Sequence, residues 1–306
     1  MFKTATILLI TLAVANAQYL KSYQPQKEKL LHRTMAPESL PENWTWGNIN
    51  GTNYLTTMRN QHIPQYCGSC WAHSATSVLG DRISIARGGV FPEITISPQI
   101  LLDYDNNNSG CHGGDYGYAF QYIQENGITD ESCSAYRAQG HEESNANIQP
   151  ECKDCTPEKC FTPSDYHKFY VDDFGPLEND EHTLMQEIYQ RGPISCSVNA
   201  GPLENVPFGF KGVFSTSEQG YSNHAISLVG YGVDAESGEK YWVMRNSWGE
   251  YFADNGYIKV KRGVNMINIE QDCYWATVKN TWKNHKLPIE ATTHHSLREM
   301  FMSFKK

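Results

Sequence analysis

The amino-acid sequence predicts an α+β protein in which a helical part precedes a strand-rich part. Apolar residues recur at helical spacing in the first half of the chain, and short runs of β-branched and aromatic residues follow after residue 190. Helices and strands that segregate along a chain in this way are typical of the α+β class. With 306 residues, the chain is long enough to form two lobes around a cleft.

The first 17 residues have the pattern of a secretory signal peptide. Lys3 gives a basic start, residues 7–14 are an apolar run, and Ala15-Asn16-Ala17 is a small-residue cleavage pattern. We expect a pro-segment over residues 18–39, which are polar and rich in lysine. No later segment has about 18 consecutive apolar residues, so we expect a lysosomal or extracellular protein without a membrane span.

Four helices are predicted in the body of the chain. The longest begins at Cys70 and ends before Gly88-Gly89, where glycine permits the left-handed turn that closes a helix. A short helix is expected from Pro98, with Ser97 as its N-cap. The other two cover residues 116–124 and 181–189.

Four short runs with strand composition follow at residues 194–198, 224–231, 241–245 and 257–260. Residues 133–163 hold four cysteines and are expected to be a loop held by disulfides. The chain beyond about residue 279 is a basic extension, in which Ser296 and Glu299 have the spacing of a capping box. This extension is expected to be either a loose tail or an amphipathic helix that docks on a partner.

Composition excludes some functions and suggests others. The formal charge of −9 argues against a nucleic-acid partner held by a basic surface. In an oxidising compartment most of the nine cysteines should form disulfides, and the odd number leaves at least one thiol free. Asn43, Asn50 and Asn107 stand in glycosylation sequons.

Cys70 is the strongest candidate for a nucleophile. Cysteine attacks as its thiolate, and the N-terminus of a helix lowers the thiol pKa through its dipole and its free N–H groups. Among the eleven histidines, His224 is the best base because it opens an apolar strand that can aim it. Asn246 follows another strand and could orient the imidazole, and Trp248 could cover that hydrogen bond from water. These residues predict a cysteine hydrolase without a metal or cofactor.

Several motifs together resemble the papain family of cysteine peptidases over about residues 40–278. They are Cys67-Gly68-Ser69-Cys70-Trp71, Ser109-Gly110-Cys111-His112-Gly113-Gly114, Asn223-His224-Ala225 and Asn246-Ser247-Trp248-Gly249-Glu250. The resemblance implies a helical lobe over about residues 60–165 and a β-barrel-like lobe over about 166–278, with the active-site cleft between them.

The resemblance also assigns roles to individual residues. It implies that Cys70 is the nucleophile, His224 the acid and base, and Asn246 the residue that orients the imidazole. The Gln61 side chain and the backbone N–H of Cys70 would form the oxyanion hole. Gly113 and Gly114 would line the cleft on the side of the substrate's N-terminal part.

Three extra residues, His62-Ile63-Pro64, stand between Gln61 and the cysteine motif and are called the mini-loop below. They are similar to a loop in the cathepsin X (cathepsin Z) group of that family. Protonated His62 would bind the terminal carboxylate of a substrate. This implies a monomeric carboxypeptidase that removes single residues from peptides or proteins with free C-termini, and whose activity falls above roughly pH 6.5. The alternative is an endopeptidase or a dipeptide-removing exopeptidase with the same catalytic residues.

The resemblance further implies a disulfide pairing that leaves Cys70 free. The pairs are Cys67 with Cys111, Cys133 with Cys152, Cys155 with Cys160, and Cys196 with Cys273. One departure from the family pattern is Phe252-Ala253, where Trp-Gly is usual, and we expect it to change local packing without loss of activity.

Other classes of protein share single features of this sequence. A thiol–disulfide oxidoreductase would need Cys67 free beside Cys70. A zinc module would use Cys152, Cys155 and Cys160 with His167. A catalytically silent binding protein would not need the four catalytic positions that are present here. Insulin reduction, metal analysis and peptide hydrolysis discriminate among them.

Overall fold

The structure is a computed structural model that describes residues 39–140, 150–279 and 281. The predicted signal peptide, nearly all of the pro-segment and most of the C-terminal extension lie outside the described residues. From Leu40 onward the described residues belong to one compact unit. Among them, no helix is both long and apolar enough to cross a lipid bilayer.

All four predicted helices are present. They are α1 (Cys70–Arg87), α2 (Pro98–Tyr104), α3 (Tyr116–Asn126) and α4 (Glu181–Arg191). Helix α1 is buried at every residue from Trp71 to Ile83, so it lies in the core and not on the surface. Gly88 ends it with φ of +76°. Ser97 precedes α2 as predicted, but its hydroxyl donates to Ser134 O and makes no cap hydrogen bond.

The strands form one antiparallel-rich sheet and one small hairpin. The strands are β1 (Trp44–Thr45), β2 (Asp154–Cys155), β3 (Cys160–Phe161), β4 (Val171–Pro176), β5 (Ile194–Val198), β6 (Val213–Phe214), β7 (His224–Val233), β8 (Lys240–Arg245), β9 (Tyr257–Lys261) and β10 (Cys273–Val278). The sheet order is β4-β10-β5-β7-β8-β9-β6, with β1 paired to β7, and β2 and β3 form the hairpin.

The α+β prediction is confirmed, but only four of the ten strands in the described residues, β5, β7, β8 and β9, were predicted. The unpredicted strand β4 contains Asp172, Asp173 and Pro176, which are poor strand formers. It forms because it lies at the end of the sheet, where one side needs no partner. In the described residues no strand pairing joins β4 to β6, so the sheet is open and not a closed barrel.

Two buried contacts tie α1 to the central strands. Ser74 Oγ on α1 donates to Ile226 O of β7 at 2.7 Å. Farther along α1, the Asp81 carboxylate pairs with Arg245 at the end of β8, with 2.5 Å between Asp81 Oδ2 and the guanidinium. Both ionic side chains are at most 2% exposed. Helix α1 is therefore fixed against β7, which begins at His224, and against β8, which ends just before Asn246.

All nine cysteines lie in the described residues, and eight of them form disulfides. The bonds are Cys67–Cys111, Cys133–Cys152, Cys155–Cys160 and Cys196–Cys273, and Cys70 is free. Cys67 is thus not available as the resolving thiol of an oxidoreductase. Cys152, Cys155 and Cys160 are likewise oxidised, which removes the thiolates that a zinc module would need.

Candidate active site

His224 and Asn246 meet because their strands are antiparallel neighbours. His224 begins β7 and Asn246 directly follows β8, and Ser227 pairs with Arg245 across the two strands. In an antiparallel pair, the start of one strand lies beside the end of its partner. There His224 Nε2 lies 2.8 Å from Asn246 Oδ1, with both side chains buried.

The surroundings of this hydrogen bond keep it fixed and dry. Asn246 is 4% exposed, and its Oδ1 also accepts from Ser247 N at 2.8 Å. The Trp248 ring lies 5.1 Å from the His224 ring, and Phe252 packs edge-on against Trp248. The bond from Ser247 N identifies the atom that faces the ring as the amide oxygen, which can only accept a hydrogen bond. Nε2 must therefore carry the proton, which leaves Nδ1 of the imidazole for proton exchange.

Cys70 is the first residue of α1, is half-buried, and lines the same cleft as His224. Burial raises the pKa of Cys70, while the backbone N–H groups of Ala225, Trp71 and Cys70 itself lower it. The net direction is upward, so the expected lowering by the helix N-terminus is outweighed by desolvation. The contact with Ala225, the residue after His224, places the sulfur at the start of β7.

His224 is also affected mainly by burial. Desolvation lowers the pKa of His224 to about 4, although the hydrogen bond to Asn246 raises it and His62 lowers it further. Burial therefore favours the neutral thiol of Cys70 and the neutral imidazole of His224, as long as the other group carries no charge. A proton that moves from the thiol to the imidazole creates two opposite charges side by side, and each charge favours the other.

Gln61 is held at four points next to these residues. Its backbone N–H donates to Ser247 O at 2.8 Å, and Ser247 Oγ donates to its Oε1 at 2.6 Å. Its Nε2 donates to Cys67 O at 3.0 Å, and the Tyr136 hydroxyl donates to its backbone O at 2.7 Å. A primary amide has two N–H donors, so one N–H of Nε2 remains for another acceptor.

The candidate residues line a cleft with two adjoining parts. The larger part, about 460 Å³, is lined by residues that include Gln61, His62, Cys70, Glu204, His224 and Trp248. The smaller part, about 190 Å³, is lined by residues that include Gly113, Gly114, Tyr116 and Ser197. Cys70, Gly113, Asn223 and His224 belong to both parts. A substrate chain that extends from one part of the cleft into the other would therefore pass Cys70.

The mini-loop borders the larger part of the cleft. The His62 ring stacks on Tyr66 at 4.7 Å, its backbone N–H donates to Asn60 Oδ1 at 2.9 Å, and its Nδ1 is buried with no hydrogen-bond partner in the structure. Burial lowers the pKa of His62 below its ordinary value. A negatively charged ligand in this part of the cleft would oppose that shift.

Two glycines leave room for the cleft and the turn beside it. A Cβ on Gly114 would lie 2.4 Å from Asn108 Oδ1 and 2.8 Å from the Trp71 ring, so no larger residue fits there without movement. Gly113 has φ of +115°, a conformation that other residues rarely adopt.

Some residues at the site were not predicted to take part in it. Ser69 and Ser247 stand inside the quoted motifs, but nothing in the sequence indicates that their hydroxyls bind Tyr136 and Gln61. Tyr136 lies in the disulfide-held loop, which has no periodicity, so no sequence signal placed it here. Phe252 keeps its aromatic contact with Trp248, and Ala253 has φ of +43°, where the family usually has glycine.

The chain resembles known cysteine proteases in both sequence and fold. The family model described as papain family cysteine protease matches residues 40–284. Cathepsin Z of Onchocerca volvulus is 40% identical over 246 residues, which are 78% of this chain and 78% of that protein. Mouse cathepsin K is 34% identical over 214 residues, 69% of this chain and 58% of that protein.

Solved structures have the same fold. A chain from work on the mite allergens Blo t 1 and Der p 1 matches with a TM-score of 0.66 and 27% identity, over 86% of this chain and 77% of that one. The proform of the ragweed pollen cysteine protease Amb a 11 matches with a TM-score of 0.66 over 82% of this chain and 68% of that one. Its identity of 24% supports similarity of fold alone.

Proposed function

Since the chain belongs to the papain family of cysteine proteases, we propose that it is a carboxypeptidase that removes single residues from the C-termini of peptides. The observation that carries this proposal is the position of His62, which lines the same part of the cleft as Cys70. A histidine that lines the same part of the cleft as the nucleophile could bind a terminal carboxylate, and the loop that carries it could exclude a longer chain.

The geometry supports a two-step hydrolysis. His224 takes the thiol proton of Cys70, and the sulfur attacks the carbonyl carbon of the last peptide bond. His224 then gives that proton to the leaving amine, and a thioester remains on Cys70. Water attacks the thioester with His224 as the base, and the thiol is restored.

The oxyanion of each step would be stabilised by two N–H donors. One is the free N–H of Gln61 Nε2, whose amide is fixed by Ser247 and Cys67. The other is the backbone N–H of Cys70, which lies in the first turn of α1 and has no carbonyl partner within the helix. Donors that are fixed before the reaction need no reorganisation when the negative charge appears.

The proposed substrate is a peptide or protein with a free C-terminus, cleaved by a monomer in the lysosome or outside the cell. Four disulfides support passage through an oxidising compartment. Asn43, Asn50 and Asn107 are all exposed, as glycosylation in that compartment would require.

Mass spectrometry of a peptide digest over time tests the proposed reaction. A carboxypeptidase produces a ladder of products that differ by one C-terminal residue. Internal fragments without such a ladder would show an endopeptidase, and steps of two residues would show a dipeptide-removing enzyme. Either outcome would overturn the proposal but leave the family assignment intact.

A second experiment tests the anchor itself. We expect the wild-type enzyme to hydrolyse a peptide acid faster than the matching peptide amide, and His62→Ala to lose most of this preference. His112→Ala is the matched control because His112 is exposed and lines the same part of the cleft. An unchanged preference in His62→Ala would show that His62 does not bind the carboxylate.

A further inference from the structure

A group of polar side chains next to the mini-loop has no part in the proposed chemistry. The Tyr136 hydroxyl donates to Gln61 O at 2.7 Å and lies 2.6 Å from Ser69 Oγ. Gln61 immediately precedes the mini-loop, and Ser69 immediately precedes Cys70. One hydroxyl group therefore joins the beginning of the mini-loop to the beginning of the catalytic helix.

We propose that Tyr136 is a positioning residue that fixes the mini-loop relative to Cys70 and thereby sets the preference for substrates with a free terminal carboxylate. This inference rests on the proposed carboxypeptidase function. Tyr136 acts through the backbone of Gln61 and not on the substrate. A carboxylate anchor is useful only when its distance from the attacking sulfur matches the length of one residue.

The other end of the mini-loop is held by the same segment. Gln65, which follows Pro64, donates from Nε2 to Ala138 O at 3.1 Å. Residues 136–138, called the brace below, thus contact the chain both before and after the mini-loop. Two contacts restrict a loop more than one does, because they remove rotation about the first contact.

The brace is itself attached to α2. Arg137 makes two hydrogen bonds from its guanidinium to Asp103, at 2.9 and 2.7 Å, and the Asp103 side chain is 3% exposed. The backbone N–H of Arg137 donates to Gln99 Oε1 at 2.8 Å. Both side-chain bonds come from the same nitrogen, Nη2, and together with the backbone hydrogen bond they hold Arg137 on α2. The brace can therefore transmit the position of α2 to the mini-loop.

The Tyr136 hydroxyl keeps its proton at any pH at which the enzyme would work. Burial raises the pKa of Tyr136 to about 12. On its other side, His73 packs edge-on against the Tyr136 ring at 4.7 Å, and its Nδ1 lies 3.2 Å from Ser69 Oγ. Burial holds the pKa of His73 well below its ordinary value, so its imidazole adds no positive charge beside Tyr136.

The side-chain amide of Gln61, which is the proposed oxyanion donor, depends less on Tyr136 than the mini-loop does. The Gln61 side chain is fixed by Ser247 and Cys67, and its N–H by Ser247 O. Loss of the Tyr136 hydroxyl should therefore allow the mini-loop to move, while the side-chain amide of Gln61 stays largely in place. The expected signature is a higher KM for peptide acids, with a much smaller change in kcat.

The test measures kcat and KM of Tyr136→Phe on one peptide acid and its amide. We expect the ratio of kcat/KM for acid over amide to fall roughly fivefold or more, through the KM of the acid. Tyr54→Phe is the control, because the Tyr54 ring also packs on an aromatic residue, Trp46. An unchanged ratio, or an equal loss on both substrates, would overturn the positioning role.

A second variant covers a failure of Tyr136→Phe to fold. Gln65→Ala removes the other contact to the brace from an exposed residue, and we expect the same change of ratio. An unchanged ratio in that variant would then overturn the inference. A wild-type enzyme without any preference for the acid would instead overturn the proposed function, so the two failures are distinguishable.

Discussion

Replacement of Asn246 by alanine is predicted to reduce turnover strongly in a protein that still folds. Asn246 Oδ1 accepts from His224 Nε2 at 2.8 Å in a site where Asn246 is 4% exposed. A hydrogen bond to a charged group contributes about 1.5–3 kcal/mol. Since about 1.36 kcal/mol corresponds to a factor of ten in rate, kcat should fall about 10- to 150-fold.

The assay compares kcat of wild-type and Asn246→Ala enzymes on the same peptide, with thermal unfolding as the check on folding. Ser247 N also loses its acceptor in this variant, so a modest loss of stability is expected. Asn106→Ala is the control because Asn106 is an exposed asparagine. A kcat within about threefold of wild type, in a folded variant, would refute the orienting role.

The pH profile gives an independent check of the same reasoning. The hydrogen bond to Asn246 raises the pKa of His224, against the burial that lowers it to about 4. Without Asn246 the pKa should fall further, so His224 would lose its proton at a lower pH. The rise of kcat/KM on the acidic side should move to lower pH in Asn246→Ala. A shift to higher pH would contradict this assignment.

Four other predictions each concern a single residue: His62, Asp81, Ala253 or Glu204. Because burial lowers the pKa of His62, the preference for peptide acids should fall as pH rises through a value below 6.5, and a preference that stays constant to pH 8 would contradict the charged anchor. Asp81→Asn leaves Arg245 buried without its partner and should cost about 3–5 kcal/mol in urea unfolding, whereas a loss under about 1 kcal/mol would mean that the pair contributes little. Ala253→Gly should keep or raise the melting temperature, because Ala253 has φ of +43°; a clear fall would show that the methyl group matters more than the backbone. Glu204 is exposed and lines the cleft with His62, so Glu204→Gln should reduce kcat/KM for peptides ending in Lys or Arg relative to Phe, and equal effects on both would exclude charge selection.

Local sequence signals located the four α-helices and the strands β5, β7, β8 and β9. The helix from Cys70 to Arg87 has apolar spacing and a glycine pair at its end, and both are properties of the chain itself. Strand β4 was missed because its acidic residues and proline argue against a strand, and only pairing with β10 makes it one. Such pairing joins residues that lie about a hundred positions apart, which local patterns do not encode.

For the candidate site, the sequence by itself determined which residues are candidates for the chemistry. Cys70 was identified by its motif and by the odd number of cysteines, and His224 and Asn246 by their places at strand ends. The tertiary structure decided what surrounds these groups. It buries Cys70 and His224, which shifts both pKa values towards the neutral forms, and it connects the mini-loop to Cys70 through Tyr136. Burial and long-range hydrogen bonds depend on which distant segments pack together, and local sequence patterns do not show this.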